Sequence, residues 1–407
     1  MGRGDGRAAG GPARAEILTR AVFLLSLAAF ASAAASRATD PVLPLIAASF
    51  GATPGEAAAV ITGFALAYGL LQLVNGPLAD RIGKFRMVFW ITAVSAAGNL
   101  ACALAPSLPL LVGARFATGA TVGAIVPLAM AWIGDTVPYE RRQAVLARFL
   151  IGHMLGVALA TAGAGFLGER YGWQAMFYVL AVLYALIAAL LRLELGRNAL
   201  TREAHADSGS LGDAFRRMAA LTRRPWVRVV LATVFVEGAL FSGASAFIPL
   251  ELHLRFGLGL GASGSIVAAS VAGSLLYASM AVRVVPRLGE RGLVLGGGAF
   301  LACGFLGLAA APAAGWALPC MVALGAGFYM MHNTLQVHAT QMAPEARGAA
   351  LALFACSLFT GQAAGVWLAS HVVDAAGAGP VFVAVAIGLA LLSLDFRRRL
   401  AAPRPGA

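Results

Sequence analysis

The residues able to do chemistry in this sequence are ionisable side chains set inside long apolar runs. A charge at the centre of a membrane helix costs about 2.5–3.5 kcal/mol on insertion scales, so it marks function by default. Asp40 lies in Thr39-Asp40-Pro41-Val42-Leu43-Pro44, in the outer part of the first run. A carboxylate in apolar surroundings can load and release a proton near neutral pH. The alternative is a solvated interfacial acid paired with Arg37, one turn earlier. Arg115 follows Pro109 by about 9 Å at 1.5 Å per residue, close to the level expected for Asp40 on the oppositely directed first helix. There its guanidinium would hold the acid ionised until a proton or substrate intervenes, unless it snorkels outward. Glu237 lies about 15 Å beyond Val227, near the midplane, with no partner in its own stretch. It suits a second proton site or a counter-charge for a cationic substrate, and a hydrogen bond to another helix would also account for it.

Tyr329, His332, Asn333 and Gln336 are spaced by three and four, which sets them on one broad helical face directed at a cavity. They can bind a substrate by hydrogen bonds, and His332 can titrate; polar contact between helices is the other reading. Gln362 is a weaker candidate of the same kind, as are Asn99 and Gln72. The acids Asp40 and Glu237 lean towards cationic or zwitterionic cargo, while Arg37 and Arg115 can accept an anion.

These residues need helices long enough to cross a bilayer. The chain has 407 residues, 60% of them hydrophobic and 12% charged, against about 25% charged in soluble proteins. A net charge of +12 would suggest nucleic acid in a soluble protein, but its distribution excludes that partner. Lys and Arg gather in the N-terminal tail, Arg81–Arg86, Arg141–Arg148, Arg192–Arg228, Arg283–Arg291 and the C-terminal tail. Alternate loops are therefore basic, which places both termini in the cytoplasm of a cell whose cytoplasmic (inner) membrane the chain crosses many times.

Hydropathy predicts twelve spans, at about 17–48, 56–79, 87–105, 109–133, 143–167, 173–195, 227–252, 262–285, 292–311, 316–341, 348–372 and 379–396. The first can bend at Pro41 and Pro44. Its start imitates a signal peptide, yet cleavage would break the loop parity. Residues 197–226 are polar and basic; Ser210 with Asp213 reads as a capping box. Leu211, Phe215, Met218 and Leu221 then make one apolar face. The segment predicts an amphipathic helix on the cytoplasmic membrane surface, or a solvated linker, between domains at 1–196 and 227–407.

The halves repeat. Phe50-Gly51 returns as Phe256-Gly257, Arg81 and Gly83 as Arg287 and Gly289, Gly119 as Gly325, and Pro138 with Arg141 as Pro344 with Arg347. All four share one offset; Gly172 and Phe177 return one residue short of it, as Gly377 and Phe382. The four cysteines show neither metal spacing nor a disulfide framework. No phosphate-cradling loop or catalytic triad is evident, so neither an enzyme nor an ATP-driven pump is predicted.

The loop from Gly76 to Arg86 resembles the signature loop of the major facilitator superfamily. Gly76, Leu78, Asp80, Arg81 and Gly83 match it, and Lys84 stands where the family more often has arginine. The resemblance implies an all-α membrane protein of twelve helices in two pseudo-symmetric six-helix bundles, with a substrate site between them. The Asp40 stretch resembles the bicyclomycin/chloramphenicol resistance group of proton-driven exporters, whose acid takes part in proton coupling. Arg115 sits in a segment resembling the family's fourth-helix motif, whose arginine is associated with proton transfer. In resembling families the Asp80 loop engages acids at the inner end of the fourth helix and releases them as the cavity switches. That assigns Asp80, Arg81, Gly83 and Lys84, with Asp135, Glu140 and Arg141, to gating. The fifth span reads Gly163-Ala164-Gly165-Phe166-Leu167-Gly168, without the proline of the exporter pattern.

The expectation is a monomeric secondary transporter, without cofactor and driven by the proton gradient, that exports a small organic molecule. Uptake by symport or facilitated diffusion is the alternative within transport. A transporter-like sensor or assembly protein is the alternative outside it.

Overall fold

The structure, a computed structural model, describes residues 12–202 and 211–401. Every regular element among them is helical. Eleven helices are long and apolar enough to cross a membrane. One of these, Leu260–Ala310, is two spans fused across a non-helical Gly289, which makes twelve. Ser210, half of the expected capping box, lies outside the described residues.

The spans, in chain order, begin with a first built from Pro12–Arg37 and Leu43–Phe50, a second Ala59–Ile82 and a third Lys84–Ala103. The fourth is Leu108–Val122 with Ile125–Thr136, the fifth Tyr139–Tyr171, and the sixth Gln174–Arg197. The seventh is Pro225–Ser245 with Ile248–Phe256; the eighth and ninth share Leu260–Ala310; the tenth to twelfth are Ala317–Gln341, Arg347–Ala376 and Ala378–Ala401. The first span does not merely bend at its prolines. Residues 38–42 leave the helix altogether, because Pro41 lacks the N–H that would continue the ladder.

The sequence repeat is also a repeat of backbone geometry. Positive φ occurs at Gly51 and Gly257 (62° and 65°), Gly83 and Gly289 (96° and 60°), and Gly172 and Gly377 (85° and 78°), and at no other described residue. These are the paired glycines of the two halves, where a Cβ would be strained. Helix packing repeats as well. Gly119 lies against the Phe64 carbonyl in the first bundle and Gly325 against the Ser270 carbonyl in the second, each too close for a side chain.

The bundles meet through two helix pairs, the second span with the eleventh and the fifth with the eighth. The Tyr68 and Phe359 rings pack at a tilt, 3.9 Å apart, near the middle of one contact. Further contacts lie towards the end away from the basic loops, at Gly55 with Ser370 and Gly165 with Leu260. Towards the basic end the fifth span exposes Leu155, Ile151 and Tyr139, and the tenth exposes Val337. The helix Leu211–Leu221 buries Ala214 and Met218 and touches both the second and the eleventh spans. Its apolar face therefore has a protein partner, which the sequence alone did not indicate.

Candidate functional site

In the first bundle the site begins with a broken helix. Ending the first helix at Arg37 leaves its last carbonyls without intrahelical donors. Arg115, on the fourth span, supplies one: its Nη1 donates to the Ala35 carbonyl at 3.0 Å. The side chain is fully buried, with the guanidinium carbon 3.9 Å from the Phe64 ring centre and 5.8 Å from that of Phe177. A cation at a helix C-terminus between aromatic faces is favoured by the helix dipole and by the ring quadrupoles.

Asp40 lies in the break and is 3% exposed. Its Oδ2 accepts from Arg37 Nη1 at 3.2 Å. The expected approach of Arg115 is thus not a contact; the helix end holds that guanidinium. Arg37, one turn away, is the direct partner. Asp40 Oδ1, Thr39 Oγ1, Tyr184 OH and two guanidinium nitrogens of Arg115 are buried with no hydrogen-bond partner among the described residues.

In the second bundle Glu237 does have a partner, on another helix. Its Oε2 lies 2.8 Å from His332 Nδ1, and the carboxylate is wholly buried while the imidazole is 15% exposed. A neutral His332 that donates from Nδ1 keeps Nε2 as an acceptor. The ring is held by stacking on Phe328 at 4.9 Å and by Phe354 at 5.5 Å; Phe328 stacks in turn on Phe241 at 4.4 Å. Glu237 Oε1 has no hydrogen-bond partner among the described residues. Of the other residues predicted on this face, Tyr329 packs edge-on to Phe328 beside the small Tyr277–Met330 cluster. Asn333 and Gln362 are half-buried and Gln336 is exposed. The structure does not gather all four polar residues of the tenth span around one point.

At the basic end Lys84 reaches two acids, Asp135 at 2.5 Å and Asp80 at 3.8 Å. Gly83, at φ 96°, closes the second span and opens the third. Arg81, Glu140 and Arg141 are exposed, and the two residues opening the fifth span form no ion pair among the described residues.

The opposite end holds contacts that sequence reading missed. Asp374, near the end of the eleventh span, accepts from Thr53 Oγ1 at 2.6 Å and from Gly55 N at 2.8 Å. Glu169, near the end of the fifth, accepts from the Leu260 N–H at the start of the eighth. The two acids stand three residues before Gly377 and Gly172 respectively, so extending the glycine repeat would have found them.

Two bundles of six helices that carry buried charges on their inner helices have the architecture of a membrane transporter built from repeats. The chain belongs to the Major Facilitator Superfamily, whose family model matches residues 25–365. Its members are membrane transporters rather than enzymes. Among similar proteins, the multidrug export protein EmrB of Escherichia coli (strain K12) is 26% identical over 46% of this chain and 37% of its own length. The chain thus spans under two fifths of that relative. An uncharacterised transporter of the same superfamily, YceJ of Bacillus subtilis (strain 168), is 24% identical over 81% of this chain and 83% of its own. Two solved structures share the fold: the nucleoside transporter NupG (TM-score 0.76, 15% identity, 94% of this chain and 100% of that one), and the peptide transporter POT in complex with sulfate (TM-score 0.77, 17% identity, 94% of each).

Proposed function

We propose that this transporter exports a small organic molecule in exchange for protons, from a cytoplasmic membrane with its basic loops and both termini inside. The carrying observation is the Glu237–His332 pair: a fully buried carboxylate held by an imidazole that still reaches the surface. One proton on such a pair changes the charge of the cavity-side group, which is the change a coupled transporter must read. Asp40 with Arg37 gives the first bundle a second buried acid with one free oxygen. Similarity to a multidrug export protein supports the outward direction. The conformation fits an inward-facing state, with contacts concentrated at the end away from the basic loops.

In this reading Asp40 and Glu237 are proton sites, Arg115 fixes the first helix end beside Asp40, and His332 meets the substrate. Tyr329, Asn333, Gln336 and Gln362 are further ligand candidates, and the Asp80–Lys84 loop with Asp135 forms the gate that closes on the inside. The cycle needs no cofactor, since the proton gradient supplies the energy. The test is proton flux in proteoliposomes across a panel of amphipathic cations and neutral drugs. A substrate should move protons in wild type and lose that coupling in Asp40→Asn or Glu237→Gln. Substrate movement with no proton flux in wild type would reject coupling.

A further inference from the structure

We propose that a cleft on the outer flank of the first bundle, between the third and sixth spans at the basic end, binds the phosphate headgroup of an anionic phospholipid. The cleft has a volume of about 410 Å³ and is lined by Arg86, Arg192 and Arg202 together with Phe89, Trp90 and Leu195. Three cations thus face one recess, with no acidic residue in its lining among the described residues. Arg202 is fixed there by the end of the sixth span: its Nε donates to the Leu195 carbonyl at 2.7 Å and its Nη2 to that of Gly196. Arg86 and Arg192 are exposed and join no ion pair among the described residues. Guanidinium groups suit phosphate oxygens because their planar donor forks match them.

The surroundings favour a lipid over a free phosphate. On the third span Arg86, Trp90 and Val94 are spaced by four and so form one stripe; Trp90 is 56% exposed and Val94 is exposed above it. On the sixth span Ala189 and Ala185, on the stripe that carries Arg192 and Gly196, are exposed above the cleft. An apolar wall therefore leads from the cations towards the membrane interior, as two acyl chains require. Trp90 sits between charge and hydrocarbon, the level at which indoles collect. Basic pockets between spans at this depth suit anionic headgroups.

The fold itself does not demand the cleft. Carried along the repeat that relates Gly83 to Gly289, Arg86 and Trp90 correspond to Gly292 and Gly296. The second bundle lacks the arginine and the indole at these positions. A feature needed only to orient basic loops would not require this local pairing.

The test uses the full-length protein in detergent micelles and counts bound lipid by native mass spectrometry. Dioleoylphosphatidylglycerol should bind and dioleoylphosphatidylcholine should not. The Arg86→Gln/Arg192→Gln double variant should weaken phosphatidylglycerol binding by about tenfold or more. Arg283→Gln/Arg287→Gln, which removes two charges from the matching loop of the second bundle, should bind it as wild type does. Equal binding of the two lipids, or equal loss in both double variants, would overturn the site. Displacement of phosphatidylglycerol by millimolar inorganic phosphate would overturn the lipid assignment in favour of a free-anion site. None of these outcomes depends on the direction or coupling of transport.

Discussion

Asp374 and Gly55 lock the two bundles together: the carboxylate of one bundle accepts the Gly55 N–H of the short helix Pro54–Ala57, just ahead of the second span of the other, at 2.8 Å. Glu169 does the same for Leu260 on the opposite diagonal. Each acid caps a helix N-terminus, where unsatisfied N–H groups and the positive end of the dipole favour a carboxylate. Because each cap belongs to the facing bundle, it exists only while that end is shut. The two contacts sit at equivalent places in the repeat, each acid three residues before a glycine of positive φ.

Asp374→Ala should therefore shift the population towards opening at that end. Losing a cap costs about 0.5–2 kcal/mol, which is a factor of about 2 to 30 in the ratio of shut to open. Gly55→Ala should act in the same direction, since a Cβ there would stand 2.5 Å from the Ser370 carbonyl. Ser370→Cys in a background without other cysteines gives the readout, labelled with a membrane-impermeant thiol reagent. Labelling no faster in either variant would mean that the carboxylate does not hold the gate.

Arg115→Lys should destabilise the protein although the charge is kept. Lysine is a point charge on a flexible stem, and it cannot offer a planar fork both to Phe64 and to the Ala35 carbonyl. A hydrogen bond to a charged group is worth about 1.5–3 kcal/mol, so the lost fit should lower the melting temperature measured in detergent. A variant that melts with wild type would show that position 115 needs only a positive charge.

Lys84→Ala should do little to stability. Its partner Asp135 is 43% exposed, and exposed ion pairs contribute about 0–1 kcal/mol. If this loop is a gate, the effect will show instead in the rate of transport. The exchange Lys84→Asp/Asp135→Lys should restore that rate in part. A large drop in melting temperature on Lys84→Ala would make the loop a structural anchor instead.

The fold was legible because it rests on features that a single sequence displays, namely apolar length and repeated punctuation. Gly51, Gly83 and Gly172 recur where φ must be positive, so the repeat could be read before any helix was seen. Side-chain partners were less accessible. Nothing near Glu237 in sequence points to His332, since their contact depends on how the seventh span is rotated against the tenth. Arg115 was legible as a buried cation near Asp40, but its preference for the Ala35 carbonyl follows from the exact end of the first helix at Arg37. Asp374 and Glu169 escaped notice because acids at span ends look like ordinary solvated charges until the facing helix start is located.

His332→Ala should be the most damaging of the substitutions in the second bundle, because it strands the Glu237 carboxylate in a fully buried position. Leaving a buried acceptor without its hydrogen-bond partner costs about 1–3 kcal/mol, and more where that group is charged. Glu237→Gln should cost less, since its amide oxygen can still accept from His332 Nδ1. The double variant Glu237→Gln/His332→Ala should then be more stable than His332→Ala alone, and this reversal distinguishes a hydrogen-bonded carboxylate from plain packing. Melting temperatures of the four proteins in one detergent give the coupling energy. Additive losses would show that Glu237 and His332 are independent, and that proton coupling has to be sought at Asp40.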